Sequence, residues 1–333
     1  MNYSRVRGIG HYVPEKIVTN QDLEKLIDTN DAWIQERTGI QERRFFNPET
    51  DTVANMAAKA SRIALERAGL QATDVDFIVF ATITSDYYFP GSGLLLGREL
   101  GLPGIPAIDI KNQCSGFIYA LSVADQFIKT GMYQTVLVVG SEIQSTFLNM
   151  TTEYRNTAVI FGDGAGAVVL QASQDPAHRI LSTHLHADGR FAEELMVKDP
   201  GGSREGRWFN QNQIDSGSME VVMQGQAVFK HAVQRFPEAI EEALQANHLQ
   251  ISDVDMLIPH QANLRITNYV RDKMGLPEEK VYSNIQKYGN TTAASIPIAM
   301  SECWENGKIK SGDLICLAAF GSGFTWASAL LRW

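Results

Sequence analysis

The stretch Ala107–Met132, AIDIKNQCSGFIYALSVADQFIKTGM, decides how the whole chain is read. A short apolar run, Ala107 to Ile110, leads to Cys114. Beyond it Phe117, Ile118, Leu121, Val123, Ala124, Phe127 and Ile128 are apolar on nearly every face. That pattern predicts a buried helix that starts near the cysteine and stops at Gly131. Cys114 is then either a small core residue, as buried cysteines commonly are, or a nucleophile on a helix N-terminus. A thiol reacts as its thiolate, and the free N–H groups and partial positive charge of a helix N-terminus favour that form. Ser115 and Gly116 leave space for a substrate and leave backbone N–H groups to face an oxyanion.

The stretch also has a counterpart. RVRGIGHYV, FIVFATIT, TVLVVGSE and GAGAVVLQA read as strands, and TVANMAAKASRIALERAGL as an amphipathic helix ended by Gly69, which together predict an α/β fold with mostly parallel strands. The series then recurs. AVQRFPEAIEEALQANHL supplies a helix, MLIPHQAN matches FIVFATIT, GNTTAASIPIAM matches QCSGFIYAL, and DLICLAAFGSG matches TVLVVGSEIQ. The offsets are 256 − 77 = 179, 314 − 136 = 178 and 292 − 114 = 178. Two duplicated halves, 1–175 and 176–333, are expected to share one core, since no flexible linker lies near Ser173 to His178. Sites in such sheets gather at strand C-terminal ends and helix N-terminal ends. Cys114 is therefore expected to face His260, after MLIP, and Asn290, before TTAASIPIAM. Alone, His260 reads equally as a satisfied structural group and Asn290 as a helix N-cap. Together the three form a set for acyl transfer, with sulfur taking the acyl group and neutral donors stabilising a thioester oxygen.

A chain of 333 residues with 44% hydrophobic and 20% charged residues is long enough for two packed halves. Its net charge of −9, without a basic run, argues against nucleic acid as a partner, so an acidic partner needs a local basic patch. The start MNYSRVRGIGHYVPEK lacks the apolar core of a signal peptide, and no run approaches the roughly 18 apolar residues of a membrane span, so a cytoplasmic location is expected. Three cysteines without metal-ligand spacing read as free thiols, with no metal site; Cys303 and Cys316 lie in apolar runs and read as core. FGDGAGAVV and AAFGSGF have neither dinucleotide-binding nor phosphate-loop spacing and read as tight turns. Trp33 lies in sequence near Arg37, Arg43 and Arg44, a grouping suited either to a purine with phosphates or to an interface. The longest aperiodic polar stretch, KDPGGSREGRWFNQNQIDSGSM, reads as a lid, 199–218.

At this point DAWIQERTGIQERR, QCSGFIYALSVAD, VIFGDGAGAVVL, STHLHADG, IPHQANLRI, YGNTTAAS and FGSGFTWASALLRW resemble β-ketoacyl-acyl-carrier-protein synthase III, in family order from the first strand to the last residue. The resemblance implies the thiolase fold, five αβαβα layers, and decarboxylative condensation that begins fatty-acid synthesis. Cys114 then takes the acyl group, and His260 and Asn290 promote decarboxylation of malonyl-acyl carrier protein. The backbone N–H groups of Cys114 and Ser322 form the oxyanion hole, and Phe320 lines the cavity. Trp33 and Arg155 hold the adenine of acyl-coenzyme A, with Arg37, Arg265, Asn263 and Gly225 along its path. Lys230, Arg265 and Lys273 form the carrier-protein patch. Phe89 caps the acyl pocket of a homodimer partner. Coenzyme A enters as a thioester substrate and no cofactor is implied. The chain departs from the family pattern at Asn112, Gln113, Asn156, Ser322, Gln226 and the longer lid. These changes leave open which acyl group loads, and keep a secondary-metabolite condensing enzyme or acyltransferase of the same fold as the alternative.

Overall fold

The computed structural model of the chain describes residues 2–202 and 207–333. The first sheet contains β1 (Tyr3–Tyr12), β2 (Phe77–Ala81), β3 (Ala107–Ile110), β4 (Thr135–Glu142) and β5 (Gly164–Ser173), in the order β1-β5-β4-β2-β3. The second contains β6 (Arg179–Ala187), β7 (Met256–Pro259), β8 (Leu314–Gly321) and β9 (Thr325–Arg332), in the order β7-β8-β9-β6. The second order repeats the first, with an isolated parallel bridge from Leu257 to Val281 where the fifth strand would lie. The sheets are mixed, which corrects the expectation of mostly parallel strands: β2 runs parallel to β3 and β4, and β7 to β8, while the β1, β5, β6 and β9 pairings are antiparallel. The connection Ser322–Phe324 between β8 and β9 shows why. Three residues cannot make a crossover, so the chain returns antiparallel.

Five helices layer these sheets: α1 (Val53–Ala68), α2 (Gly116–Lys129), α3 (Gly225–Ala246), α4 (Leu264–Met274) and α5 (Ser295–Glu305). Thr52 caps α1 by accepting the Asn55 N–H, and Gly69 ends it at φ 69°. α1 covers the outer face of the first sheet, and α3 the outer face of the second. α2 and α5 lie between the sheets, each touching strands of both halves. Phe117, Ile118 and Leu121 of α2 share one buried core with Ala299 and Met300 of α5, Val138 of β4 and Leu317 of β8. The result is the five-layer αβαβα arrangement.

The two halves superpose in sequence at one constant offset. Short 3-10 turns start at Ala72 and Ile251, β2 and β7 at Phe77 and Met256, turns at Gln113 and Thr292, helices at Gly116 and Ser295, and β4 and β8 at Thr135 and Leu314. Each pair differs by 179, as in 314 − 135 = 179. The two offsets of 178 read from sequence are thus one residue short: Cys114 corresponds to Ala293, and Val136 to Ile315. In a strand that single residue exchanges the two faces, so the register is fixed by which side chains reach the core.

The halves meet closely where the turn before α5 presses on β4. A Cβ on Gly140 would stand 2.3 Å from the Ala293 carbonyl oxygen and 2.7 Å from its carbon. Backbone on both sides cannot yield as a side chain can. Gly140→Ala should therefore cost at least the roughly 1–3 kcal/mol of ordinary overpacking and lower the thermal midpoint by several degrees; an unchanged midpoint would show that this seam is loose.

Candidate active site

Cys114 lies in the turn Gln113–Ser115 immediately before α2, with a relative exposure of 9%. Gln113 takes φ 44°, and its counterpart Thr292 takes φ 49°. Such backbone is uncommon outside glycine and gathers at functional sites. The turn holding Cys114 packs against both the Thr292–Ala294 turn and β8. The approach to β8 needs Gly321, because a Cβ there would fall 3.0 Å from Cys114 Sγ. The backbone N–H groups of the next residue, Ser322, and of Cys114 itself lie near the sulfur and favour its charged form. The Ser322 side chain is turned away, donating Oγ–H to the Leu195 carbonyl.

The electrostatic balance at Cys114 differs from the sequence expectation. Burial, reinforced by the nearby Glu142 carboxyl, pushes the thiol up to about 12, and the two N–H groups only partly oppose it. In a site closed by both sheets, desolvation outweighs the helix terminus. The sulfur rests as a thiol.

His260 follows β7, and its N–H is held by the Ala318 carbonyl at 2.8 Å. The ring is 1% exposed, and burial depresses it to about 3, so the imidazole is neutral. Nδ1 stands 2.5 Å from Ser295 Oγ, and Nε2 is buried without a hydrogen-bond partner among the described residues. Asn290 is fixed through its backbone, its N–H donating to the Ile160 carbonyl at 2.9 Å and its carbonyl accepting from Gly162. Its side-chain Oδ1 accepts the Thr292 N–H at 2.8 Å, which leaves the amide NH2 as the group it offers. The imidazole, the amide and the backbone N–H groups are each uncharged donors of a kind suited to an oxygen that gains negative charge.

The surrounding residues sort into several groups. The Arg37 and Arg155 guanidinium carbons lie 4.7 and 5.1 Å from the Trp33 ring centre, so these three do come together. Arg43 and Arg44 do not join them. On the short strand Glu42–Phe45 alternation turns Arg43 inward, fully buried, where it donates to the Val18 and Val159 carbonyls and to Asn20 Oδ1. Arg44 lies instead over Tyr288. Asn263 caps α4 by accepting the Arg265 N–H, and its own NH2 reaches the Arg37 carbonyl at 2.8 Å. Gly225 starts α3 in an exposed position. Lys230, Arg265 and Lys273 are exposed on α3 and α4, which pack together. Phe320 is buried against Phe324, with ring centres 4.9 Å apart. Phe89 is 78% exposed, and its neighbour Tyr88 touches Trp208 of the segment 199–218 at 4.4 Å. Residues 203–206 of that segment lie outside the described residues. Asn112 keeps a buried Nδ2 without a hydrogen-bond partner among the described residues, while the Tyr119 hydroxyl donates to the His186 carbonyl at 2.9 Å.

Sequence reasoning missed Glu142 and Ser295. Glu142 ends the otherwise apolar strand β4, and an acid closing a fully buried strand was the available signal. It accepts hydrogen bonds from Thr84 Oγ1 at 2.6 Å, from Thr82 Oγ1 at 3.2 Å and from the Ile83 N–H, and the Ala293 N–H reaches it from the other half. Burial still pushes its carboxyl from 4.5 up to about 7. A raised folded-state value means that the protonated form favours the fold; the contribution is complete below the unfolded value and is lost as pH rises through about 7. Glu142→Gln stays neutral throughout. Its thermal midpoint relative to the unaltered chain should climb between about pH 4.5 and pH 8, whereas parallel profiles would mean an ordinary carboxyl.

With this geometry established, the likeness to known proteins is specific. Residues 108–189 match the family described as 3-oxoacyl-[acyl-carrier-protein (ACP)] synthase III, and residues 244–333 match its C-terminal family. A protein named β-ketoacyl-[acyl-carrier-protein] synthase III from Thioalkalivibrio sulfidiphilus is 46% identical over 332 residues, covering 100% of both chains. The crystal structure of 3-oxoacyl-[acyl-carrier-protein] synthase III from Aquifex aeolicus is similar with a TM-score of 0.91 and 42% identity, over 99% of this chain and 100% of that one. The priming β-ketosynthase of the R1128 polyketide pathway has a TM-score of 0.90 at 33% identity, over 99% of this chain and 96% of that one. Full-length coverage at this identity, on a thiolase fold, leaves one assignment: the chain belongs to the β-ketoacyl-acyl-carrier-protein synthase III family.

Proposed function

We propose that this chain is a decarboxylating condensing enzyme that joins an acyl group from acyl-coenzyme A to malonyl-acyl carrier protein, giving 3-oxoacyl-acyl carrier protein and carbon dioxide. The observation that carries the reading is the buried sulfur of Cys114 beside the N–H groups of Cys114 and Ser322, in a site whose imidazole is neutral. In the loading step the Cys114 sulfur attacks the acyl carbonyl, the carbon–sulfur bond to coenzyme A breaks, and the thiol proton leaves with the coenzyme thiol. The two N–H groups stabilise the oxygen during that exchange. In the second step the malonyl carboxylate leaves as carbon dioxide, and its bonding pair becomes an enolate held by His260 and Asn290. The enolate carbon attacks the acyl-cysteine, and the sulfur departs and is reprotonated.

In this reading residues 1–175 supply the nucleophile and 176–333 the donor pair. Trp33 and Arg155 stack on the adenine, while Arg37, Asn263, Arg265 and Gly225 line the path of the coenzyme. Lys230, Arg265 and Lys273 receive the acidic carrier protein, which accounts for an acidic partner on a chain of net charge −9. Phe320 walls the cavity, and Phe89, exposed in the single chain, caps the acyl pocket of a second copy. No tightly held cofactor takes part, and the reaction is cytoplasmic. Among the described residues no helix is long and apolar enough to cross a membrane. Relatives from 43 to 46% identical bear the synthase III name, against 33% for the polyketide priming enzyme, so primary fatty-acid synthesis is the setting proposed.

Acetyl- to decanoyl-coenzyme A, each mixed with the protein and followed by intact mass, should place one acyl group on Cys114, and Cys114→Ala should take none. Absence of any adduct would sink the reading. His260→Ala and Asn290→Ala should keep loading but lose condensation by about 10²–10³-fold, the usual cost of one oxyanion donor.

A further inference from the structure

Ser295 opens α5, yet that helix does not use its hydroxyl. Ala294 holds the N-cap position without a side-chain bond, and Ser295 Oγ reaches across to His260 Nδ1 at 2.5 Å. The same Oγ accepts the Gln261 N–H at 3.4 Å. Ser295 is 2% exposed and His260 is 1% exposed, so neither group turns to solvent.

Two proton arrangements fit a neutral ring. In one, the serine O–H donates to Nδ1 and the ring proton sits on Nε2. In the other, Nδ1–H donates to Oγ; the oxygen then receives two N–H bonds, and its own proton needs an acceptor. None is recorded for it among the described residues, so this second arrangement strands a buried donor. The first leaves one group of the pair without a partner among the described residues, the Nε2–H, whereas the second leaves two, the serine O–H and the bare Nε2.

The duplicated half gives an independent comparison. At the constant offset of 179, Ser295 corresponds to Gly116 and His260 to Ala81. Those two also face each other, since a Cβ on Gly116 would lie 3.3 Å from Ala81 Cβ. The fold thus makes the same contact twice, and packing alone is met by glycine and alanine. In the second half the contact is a hydroxyl on an imidazole.

We propose that Ser295 is a positioning residue that holds His260 in its Nε2–H form, so that the nitrogen left without a protein partner is a hydrogen-bond donor to a substrate oxygen and not a base. Burial, which keeps the ring uncharged, makes the choice of form matter. The role in condensation rests on the function proposed above, while the proton position does not. It follows that His260 does not deprotonate Cys114, in agreement with a thiol proton that leaves on the coenzyme.

The test is nitrogen NMR of the full chain labelled with 15N-histidine at about pH 7, with His260→Gln identifying the signal among seven histidines. The unaltered protein should show a proton on Nε2 and a bare Nδ1. Ser295→Ala should give a mixture of forms, lower condensation by about 10²-fold, and leave the rate of acyl loading on Cys114 within about twofold. Ser295→Thr, which restores the hydroxyl, should recover most of the loss. A proton on Nδ1 in the unaltered chain would overturn the proposal whether or not any variant folds. So would a Ser295→Ala protein with unchanged ring signals and unchanged condensation. An Nε2–H ring in a protein that condenses nothing would support the assignment of Ser295 and count against the enzymatic reading.

Discussion

The turn Thr292–Ala294 lies against β4 with no space for a side chain at Gly140, and the rest of the site is hung from that contact. It sets the height of α5 between the sheets, and so the position of Ser295 against His260. It brings the Ala293 N–H to Glu142, which ties the second half to the strand end of the first. It also lays the turn beside the one that carries Cys114. Because the contact is backbone against backbone, it tolerates little adjustment. Close packing of this kind is how a fold holds reacting groups within a fraction of an ångström.

The same closeness governs the chemistry. Two sheets and two central helices exclude water, and each ionisable group they enclose moves toward its neutral form: the Cys114 thiol up, the His260 ring down, the Glu142 carboxyl up. Catalysis in such a place cannot rely on a standing charge. The proposed reaction relies on oriented N–H donors, which cost nothing to reorganise when charge appears on a substrate oxygen. Apart from the buried Arg43, the basic groups described above lie on the outside, on α3, on α4 and around Trp33, where charge is cheap to keep and suits an anionic visitor.

Much of this was legible in the sequence because the chain states its pattern twice. The buried helix after Cys114, the turn glycines and the positions of His260 and Asn290 all follow from hydrophobic period and from matching one half with the other. The match slipped by one residue at Cys114, since similarity of letters favoured Thr292 while the backbone aligns Ala293. Arg43 was misplaced for a different reason: proximity in sequence does not say which face of a short strand a side chain takes. The thiol's resting state depended on the enclosure formed by both halves, which no local window contains. Glu142 and Ser295 escaped notice because their partners are 58 and 35 residues away.

Gln113 and Thr292 share one unusual backbone conformation, yet the residue that follows is cysteine in one half and alanine in the other. The architecture is symmetric, and its reactivity is not. In the proposed reaction each chain therefore offers one sulfur to one acyl group, and the twin turn serves as scaffolding for a neighbouring amide. The proposed chemistry divides a duplicated fold into a half that carries the cargo and a half that polarises it, with one acyl group per chain as the resulting stoichiometry.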